Sequence, residues 1–447
     1  MRVAFYTFGC KLNFSETSTI GKEFLEKGFD IVDYRENADV YVLNTCTVTE
    51  NAEKDCRQLV RRILRQNPDA YVAVTGCYAQ LRPEEIAGIE GVDAVLGSNE
   101  KFKIFDLLDG FEKNEFSCIY VSPTEDLNSF NFSSSTEADG RTRAFFKIQD
   151  GCDYKCSFCT IPLARGKGRS MNPDDVENQF KKIISEGYKE IILTGVNVGD
   201  YNHSKTDFQN LLKRIIKIEG DFRVRISSIE PNLLTDEIIQ LTGDNPKICN
   251  HFHVPLQSGS HEVLKLMQRR YTVDHYLNRI HKAVNTIDDL GVGVDVIVGF
   301  PGETDDNFIE TYNFIKELPV SYLHVFTYSE RPKTKAIALD GSVEVSERKR
   351  RNNMLRILSE KKKNEFYRKM LGRELKILFE EENYHGFMKG FSSNYVRVKS
   401  IYDESLINKF SNYKINGVDD NICTIETNGI RQRPKHVRSF SRKALGS

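Results

Sequence analysis

Three cysteines, Cys152, Cys156 and Cys159, stand within the stretch D-G-C-D-Y-K-C-S-F-C-T at residues 150–160. The spacing C-x-x-x-C-x-x-C crowds three thiols into one short loop, and metal binding is the chemistry that such crowding serves. A structural zinc site closes with four ligands, yet no fourth Cys or His lies nearby, the next histidine being His203. Three thiolates suit a cubane iron–sulfur cluster with one iron left open for a small ligand.

A second set of thiols is dispersed. Cys10 in Y-T-F-G-C-K-L-N, Cys46 in V-L-N-T-C-T and Cys77 in V-T-G-C-Y-A-Q each follow an apolar run, at residues 3–7, 40–44 and 71–75. Helical patterns at about 13–27 and 53–65 alternate with these runs, which predicts a parallel α/β sheet. The carboxyl ends of parallel strands share one edge, so thiols separated by 36 and 31 residues can meet there. A second three-thiolate cluster with an open iron is the expectation. Cys56, inside a helical stretch, and Cys118, which follows no comparable unit, are assigned to packing.

The elements that must position these thiols divide the 447 residues into about three domains. Residues 1–118 form the open parallel-sheet domain, and the Ser-, Asp-, Glu- and Asn-rich stretch 119–141 reads as a linker. In residues 142–370, six strand-like runs at 144–148, 190–194, 222–227, 251–254, 292–298 and 323–328 predict a partial (β/α)6 barrel. Chemistry in such barrels sits on the loops after the strands. Those loops carry Gly195, Asn197, Glu230 and Gln257. The basic Gly-rich run 165–169 lacks phosphate-loop spacing. Residues 347–370 read as a helix with ten Lys or Arg against three Glu, a solvated face. Short strands at 374–379, 386–389, 395–400 and 422–427 predict a small all-β barrel of the oligonucleotide-binding kind over 371–435, with a basic tail at 436–447.

Sixty-three basic against sixty-four acidic residues give a net charge of -1, so any nucleic-acid contact must be local. No leader-like apolar segment and no membrane-length run are seen, so a cytoplasmic protein with reduced thiols is expected.

The motifs G-C-K-L-N-F-S-E-T (9–17), N-T-C-T-V-T (44–49), G-C-Y-A-Q (76–80) and C-T-I-P-L-A-R-G (159–166) carry a resemblance. Together with the triplet after the first barrel strand, they resemble the radical S-adenosylmethionine methylthiotransferases over nearly the whole chain. The MtaB branch, which modifies C2 of N6-threonylcarbamoyladenosine at position 37 of tRNA, is the most similar. The isopentenyladenosine branch usually reads G-C-Q-M-N at the first cysteine, and the ribosomal-protein branch G-C-P-K-N. The resemblance implies that Cys152, Cys156 and Cys159 hold a 4Fe-4S cluster. Its open iron chelates S-adenosylmethionine, and electron transfer releases a 5'-deoxyadenosyl radical. Cys10, Cys46 and Cys77 hold an auxiliary 4Fe-4S cluster bearing the sulfur to be inserted.

The same resemblance sets Phe158 beside the adenine of S-adenosylmethionine, and Gly195 and Asn197 beside its methionine amino group. Glu230, Gln257 and Arg269 or Arg270 are candidates for its carboxylate and ribose. Arg165 and Lys167 are candidates for the threonylcarbamoyl group. The C-terminal barrel resembles a TRAM domain, and Arg431, Arg433 and Lys435 are expected to meet RNA backbone. The implied partners are the tRNA anticodon loop and an electron donor, with no membrane and a monomeric chain. The sixth barrel loop reads Y-S-E-R-P-K-T-K-A (328–336), with Lys333 where many relatives have Gly. Two other functions fit less of the sequence. One is methylthiolation of isopentenyladenosine or of a ribosomal-protein aspartate; the other is a non-catalytic RNA-binding protein with two zinc sites.

Overall fold

Uninterrupted apolar runs become central strands because both of their faces are covered. The computed structural model describes residues 1–46, 50–108, 110–113, 115–135 and 142–425. Its first sheet has the order β2-β1-β3-β4-β5-β6, all parallel, from β1 (Arg2–Thr7), β2 (Asp30–Val32), β3 (Val40–Thr45), β4 (Tyr71–Gly76), β5 (Ala94–Leu96) and β6 (Cys118–Tyr120). Every residue of β3 and β4 is buried. Helices α1 (Lys11–Glu26), α2 (Glu50–Gln66) and α3 (Cys77–Leu81) follow β1, β3 and β4. Cys56 packs inside α2, where burial pushes its thiol up to about 12. Cys118 opens the edge strand β6, an element that its sequence surroundings did not signal.

The described part of 119–141 is a strap rather than a free linker. Ser135 N–H donates to Phe145 O and Lys147 N–H to Ser133 O, at 2.9 and 3.0 Å. Ser133 Oγ also lies 3.0 Å from Ser15 Oγ on α1. Residues 136–141 lie outside the described residues.

The central strands are β7 (Arg143–Lys147), β10 (Glu190–Thr194), β13 (Arg223–Ile226), β14 (His251–His253), β15 (Gly291–Val298) and β16 (Tyr322–Thr327). Two antiparallel pairs decorate them, β8 (Gln149–Asp150) with β9 (Arg169–Ser170) and β11 (Asn202–His203) with β12 (Thr206–Asp207). The sets β7-β10-β13 and β14-β15-β16 are parallel, and the bridges Val224↔Ile248 and Ser228↔His253 join them. A six-stranded partial barrel results.

Helix Val345–Lys369 packs along β16, burying Leu355 and Leu358. Its basic residues are not all solvated, as composition alone suggests. Arg351 reaches Glu303 and Asp305, both at 2.8 Å, and Lys362 Nζ donates to the carbonyls of Lys316 and Leu318 at 2.7 and 2.6 Å. Lys362 thus places its charge at the carboxyl end of helix Asp305–Glu317, a favourable place for a cation.

The C-terminal unit is a closed barrel of order β17-β18-β19-β21-β20, from β17 (Glu374–Phe379), β18 (Phe387–Ser392), β19 (Arg397–Ile401), β20 (Phe410–Asp419) and β21 (Ile422–Ile425). Strand β20 was not legible, since F-S-N-Y-K-I-N-G-V-D mixes Asn and Gly into a mostly half-exposed strand. This barrel closes the amino end of the central one. Arg223 donates to Lys376 O and Phe391 O, Arg225 to Ser392 O and Ser393 O, and Arg143 pairs with Glu380, all within 3.1 Å. Burial pushes the Glu190 carboxyl up, but Arg225 and Arg223 outweigh it and hold it far below the usual carboxylate range.

Candidate active site

Cys152, Cys156 and Cys159 lie just past β8, at the carboxyl end of the central strands. Each sulfur accepts one N–H. Tyr154 N–H reaches Cys152 Sγ and Ile161 N–H reaches Cys159 Sγ, both at 3.4 Å, while Arg269 Nη1 reaches Cys156 Sγ at 2.9 Å. Such donors stabilise thiolate sulfur. Burial nonetheless pushes Cys152 up to about 11 and Cys159 to about 12, and raises Cys156 against the opposing charge of Arg269. Thiols in this setting become thiolates when a metal takes up the charge. Among the described residues, neither thiol triplet gathers its ligand atoms within 4.8 Å of one another, the span found only for His253, Asp295 and His324.

The neighbouring loops present polar atoms with no partner in the protein. Asn197 is 4% exposed, and neither its Nδ2 nor its Oδ1 is hydrogen-bonded; Thr194 Oγ1 and Ser227 Oγ are in the same state. All stand at the carboxyl ends of β10 and β13. Gln149 holds this corner: Asn197 N–H donates to its Oε1 at 2.9 Å, and a Cβ on Gly195 would lie 2.9 Å from that oxygen. Buried donors and acceptors without partners fit a zwitterionic, ribose-bearing ligand such as S-adenosylmethionine.

Glu230 and Arg269, both candidate ligand contacts, hold each other beside Cys156, with Arg269 Nε also 3.2 Å from Tyr271 Oη. Arg270 donates to Asp153 O at 2.9 Å, and its guanidinium lies 3.9 Å from the centre of the Tyr154 ring. Gln257 is half-buried with φ +68°, bridged to Val296. Phe158 meets Phe300 edge-on, with ring centres 6.3 Å apart. The sixth loop supports the triplet, Ala336 N–H donating to Ser157 O at 2.8 Å. In that loop Lys333 has φ +66°, a conformation that favours glycine.

The dispersed thiols also converge. A Cβ on Gly9 (φ +96°) would stand 2.7 Å from Cys46 Cβ, and one on Gly76 (φ +97°) 2.3 Å from Thr45 O. Only glycine lets the residues before Cys10 and Cys77 press onto the Cys46 segment in this way. Asn13 ties the turn, its Nδ2 donating to Phe8 O and Thr45 O at 3.0 Å, with Cys10 Sγ 3.9 Å from its Oδ1. Burial raises the Cys77 thiol, opposed by Arg165.

Arg165 does not have the place expected of a substrate contact. It is 1% exposed, and its guanidinium bonds Glu16 at 2.9 and 3.0 Å, Asp150 at 3.0 Å and Asn13 at 2.7 Å. Lys101 and Lys147 reach the same Glu16 at 2.5 and 3.2 Å. Burial would raise the Glu16 carboxyl, but Arg165, Lys101 and Lys147 outweigh it and hold it well below the carboxylate range. Every donor of Arg165 that faces this cluster serves the joint between Asn13, three residues past Cys10, and Asp150, two before Cys152. Lys167 is exposed. Arg431, Arg433 and Lys435 lie outside the described residues.

Sequence reasoning missed Gln149, Tyr154 and a polar wall inside the barrel. His253 Nε2 lies 2.9 Å from Asp295 Oδ1, His253 Nδ1 2.7 Å from Ser228 Oγ, and His324 stands beside them. No cysteine-like motif marks these residues. Only their inward register on adjacent strands does.

Residues 146–315 match the Radical SAM superfamily, and residues 2–97 match a family described as Uncharacterized protein family UPF0004. Threonylcarbamoyladenosine tRNA methylthiotransferase MtaB of Bacillus subtilis (strain 168) is 41% identical over 92% of this chain and 93% of its own length. The protein of the same name from Aquifex aeolicus (strain VF5) is 39% identical over 89% and 96%. A tRNA-2-methylthio-N(6)-dimethylallyladenosine synthase of Clostridium botulinum (strain Langeland / NCTC 10281 / Type F) is 34% identical over 92% and 93%. The radical S-adenosylmethionine methyltransferase TsrM of Kitasatospora setae shares the fold at TM-score 0.53 and 15% identity, over 75% of this chain and 77% of that one. With a radical S-adenosylmethionine barrel, a preceding thiol-bearing sheet and full-length relatives of this kind, the chain belongs to the radical S-adenosylmethionine tRNA methylthiotransferase family.

Proposed function

We propose that the protein methylthiolates C2 of N6-threonylcarbamoyladenosine at position 37 of tRNA. In this reading Cys152, Cys156 and Cys159 hold the 4Fe-4S cluster that binds S-adenosylmethionine, and Cys10, Cys46 and Cys77 hold a second one. The observation that carries it is the pair of thiol triplets, each short of a fourth ligand, joined through one buried Arg165–Glu16–Asp150 cluster. An adenine C2–H lies beyond the reach of any side-chain base near neutral pH. The clusters and S-adenosylmethionine, when bound, supply the radical and sulfur chemistry that no side chain offers.

The chain's own residues bind and orient. Asn197, Thr194 and Ser227 offer unpaired polar atoms to the methionyl and ribose groups. Arg269 donates to Cys156 Sγ and so favours the thiolate. Phe158 supplies an apolar edge beside the triplet. On the C-terminal barrel, Lys389 lies 3.3 Å from the centre of the Tyr384 ring and Lys399 3.9 Å from that of Phe387. Such basic and aromatic pairs suit the backbone and unstacked bases of an anticodon loop. Arg431, Arg433 and Lys435, which lie outside the described residues, add positive charge in the sequence after β21. The enzyme acts as a cytoplasmic monomer and takes electrons from a separate reductant; among the described residues no helix is long and apolar enough to cross a membrane.

Nucleoside mass spectrometry tests the substrate. Protein loaded with iron and sulfide, given S-adenosylmethionine, reductant and tRNA, should convert N6-threonylcarbamoyladenosine to its 2-methylthio form and leave N6-isopentenyladenosine unchanged. Conversion of the isopentenyl nucleoside alone would replace this reading with that of the dimethylallyladenosine enzymes.

A further inference from the structure

The polar wall inside the barrel is unused by the chemistry above. On β15 and β16 the register pairs Asp295 with His324, and on β14 it pairs His253 with Gly293. Gly293 has no side chain to intervene, and His253 reaches diagonally to Asp295 at 2.9 Å. A carboxylate only accepts, so His253 Nε2 carries the proton, and Nδ1 is hydrogen-bonded with Ser228 Oγ at 2.7 Å. Both nitrogens of His253 are thus committed, which makes the group a hydrogen-bonding wall and not a cation site. Its open side consists of Asp295, whose side chain is 22% exposed, and His324, which is exposed and hydrogen-bonded to none of the described residues.

Two further side chains frame the wall. Phe326 lies two residues past His324 on the same face of β16, and 42% of its surface is exposed. Lys11 follows Cys10 and opens α1, which is laid on the barrel by Phe14 against Phe145 (5.7 Å between ring centres) and Glu16 against Lys147 (3.2 Å). Burial lowers the His324 imidazole pKa; Asp295 opposes this, while His253 and Lys11 add to it. His251 is also lowered, by burial first and then by Arg225, His253 and Lys11. Lys11, exposed at the start of α1, is thus among the charges that act on both imidazoles.

We propose that Lys11, His324 and Asp295 form the subsite for the N6 substituent of the target base, a urea-linked hydroxy amino acid bearing a carboxylate. Lys11 and His324 donate to the carboxylate, Asp295 accepts from the hydroxyl or a urea N–H, and Phe326 meets the purine face. An apolar prenyl substituent would strip water from Asp295 and Lys11 while giving them no partner. This assignment rests on the substrate reading above and replaces Arg165 as the source of the cation.

Fluorescence anisotropy on the iron-loaded full chain tests it, with synthetic anticodon stem-loops carrying threonylcarbamoyladenosine, isopentenyladenosine or adenosine at position 37. The wild type should bind the first about tenfold or more tighter than the third. Lys11→Met and Asp295→Asn should each remove most of that preference without changing affinity for the unmodified loop, and Lys11→Arg should restore part of it. A wild-type preference for the isopentenyl loop overturns the substrate reading and the subsite together. A threonylcarbamoyl preference that survives both substitutions overturns the subsite alone, as does an equal loss for all three loops.

Discussion

Arg269 is the residue whose loss should speak most clearly about the triplet. It links Cys156 Sγ to Glu230, and its guanidinium stacks 5.0 Å from the centre of the Tyr271 ring. Hydrogen bonds to cluster sulfurs help set reduction potential, and removing such an outer partner costs about 10–100-fold in metal affinity or activity. Arg269→Ala should therefore shift the cluster potential to more negative values and slow S-adenosylmethionine cleavage by that factor, read by redox titration and by 5'-deoxyadenosine release. Lys333 offers a test of opposite sign. Its φ of +66° is unfavourable for any residue with a Cβ, by about 1 kcal/mol. Lys333→Gly should raise stability by about 0.5–1 kcal/mol in denaturant melts; an unchanged or lower midpoint would show that the lysine side chain holds the turn.

At the scale of elements, the decisive joint is α1 against β7 and the triplet loop. Glu16→Gln leaves Arg165, Lys101 and Lys147 short of their shared anion, and breaking a buried ion network of this kind costs about 3–5 kcal/mol. Acid dependence follows from the same joint. Asp150, pushed up by burial but held down by Arg165, Lys147 and Arg169, drops from its ordinary 3.8 to about 2, and Glu16 is also depressed. A depressed carboxyl contributes stability that is present above its unfolded value and lost as pH falls through its folded one. Wild-type stability should fall steeply between about pH 4 and about pH 2, and Glu16→Gln, weaker at neutral pH, should lose less across that window; parallel curves would contradict the network. The C-terminal barrel is likewise part of the frame. Deleting from Leu371 onward strands Arg223 and Arg225 at the amino end of the central barrel. That deletion should lower the melting temperature as well as tRNA affinity.

At the scale of the molecule, the layers were readable because their signals are local. Strand-then-cysteine repeats marked one edge of the first sheet, and apolar runs at β-α spacing marked the six central strands. Strand β20 escaped because its alternation is broken by Asn412, Asn416 and Gly417. The Arg165 joint, the support from Gln149 and the wall of His253, Asp295 and His324 escaped because each exists only when strands distant in sequence become neighbours. A basic residue beside a cysteine motif looks the same in sequence whether it faces substrate or closes a domain junction. Burial alone separates the two, and it makes Arg165 the link between Asn13 near one triplet and Asp150 beside the other.

The central claim is a division of labour between those triplets, and one paired assay tests it directly. Cys46→Ala and Cys152→Ala are assayed anaerobically with S-adenosylmethionine, reductant and tRNA, quantifying 5'-deoxyadenosine and the 2-methylthio nucleoside in the same tube. The account predicts that Cys152→Ala yields neither product, while Cys46→Ala still yields 5'-deoxyadenosine and no methylthio nucleoside. Methylthio nucleoside formed by the Cys46 variant would contradict it.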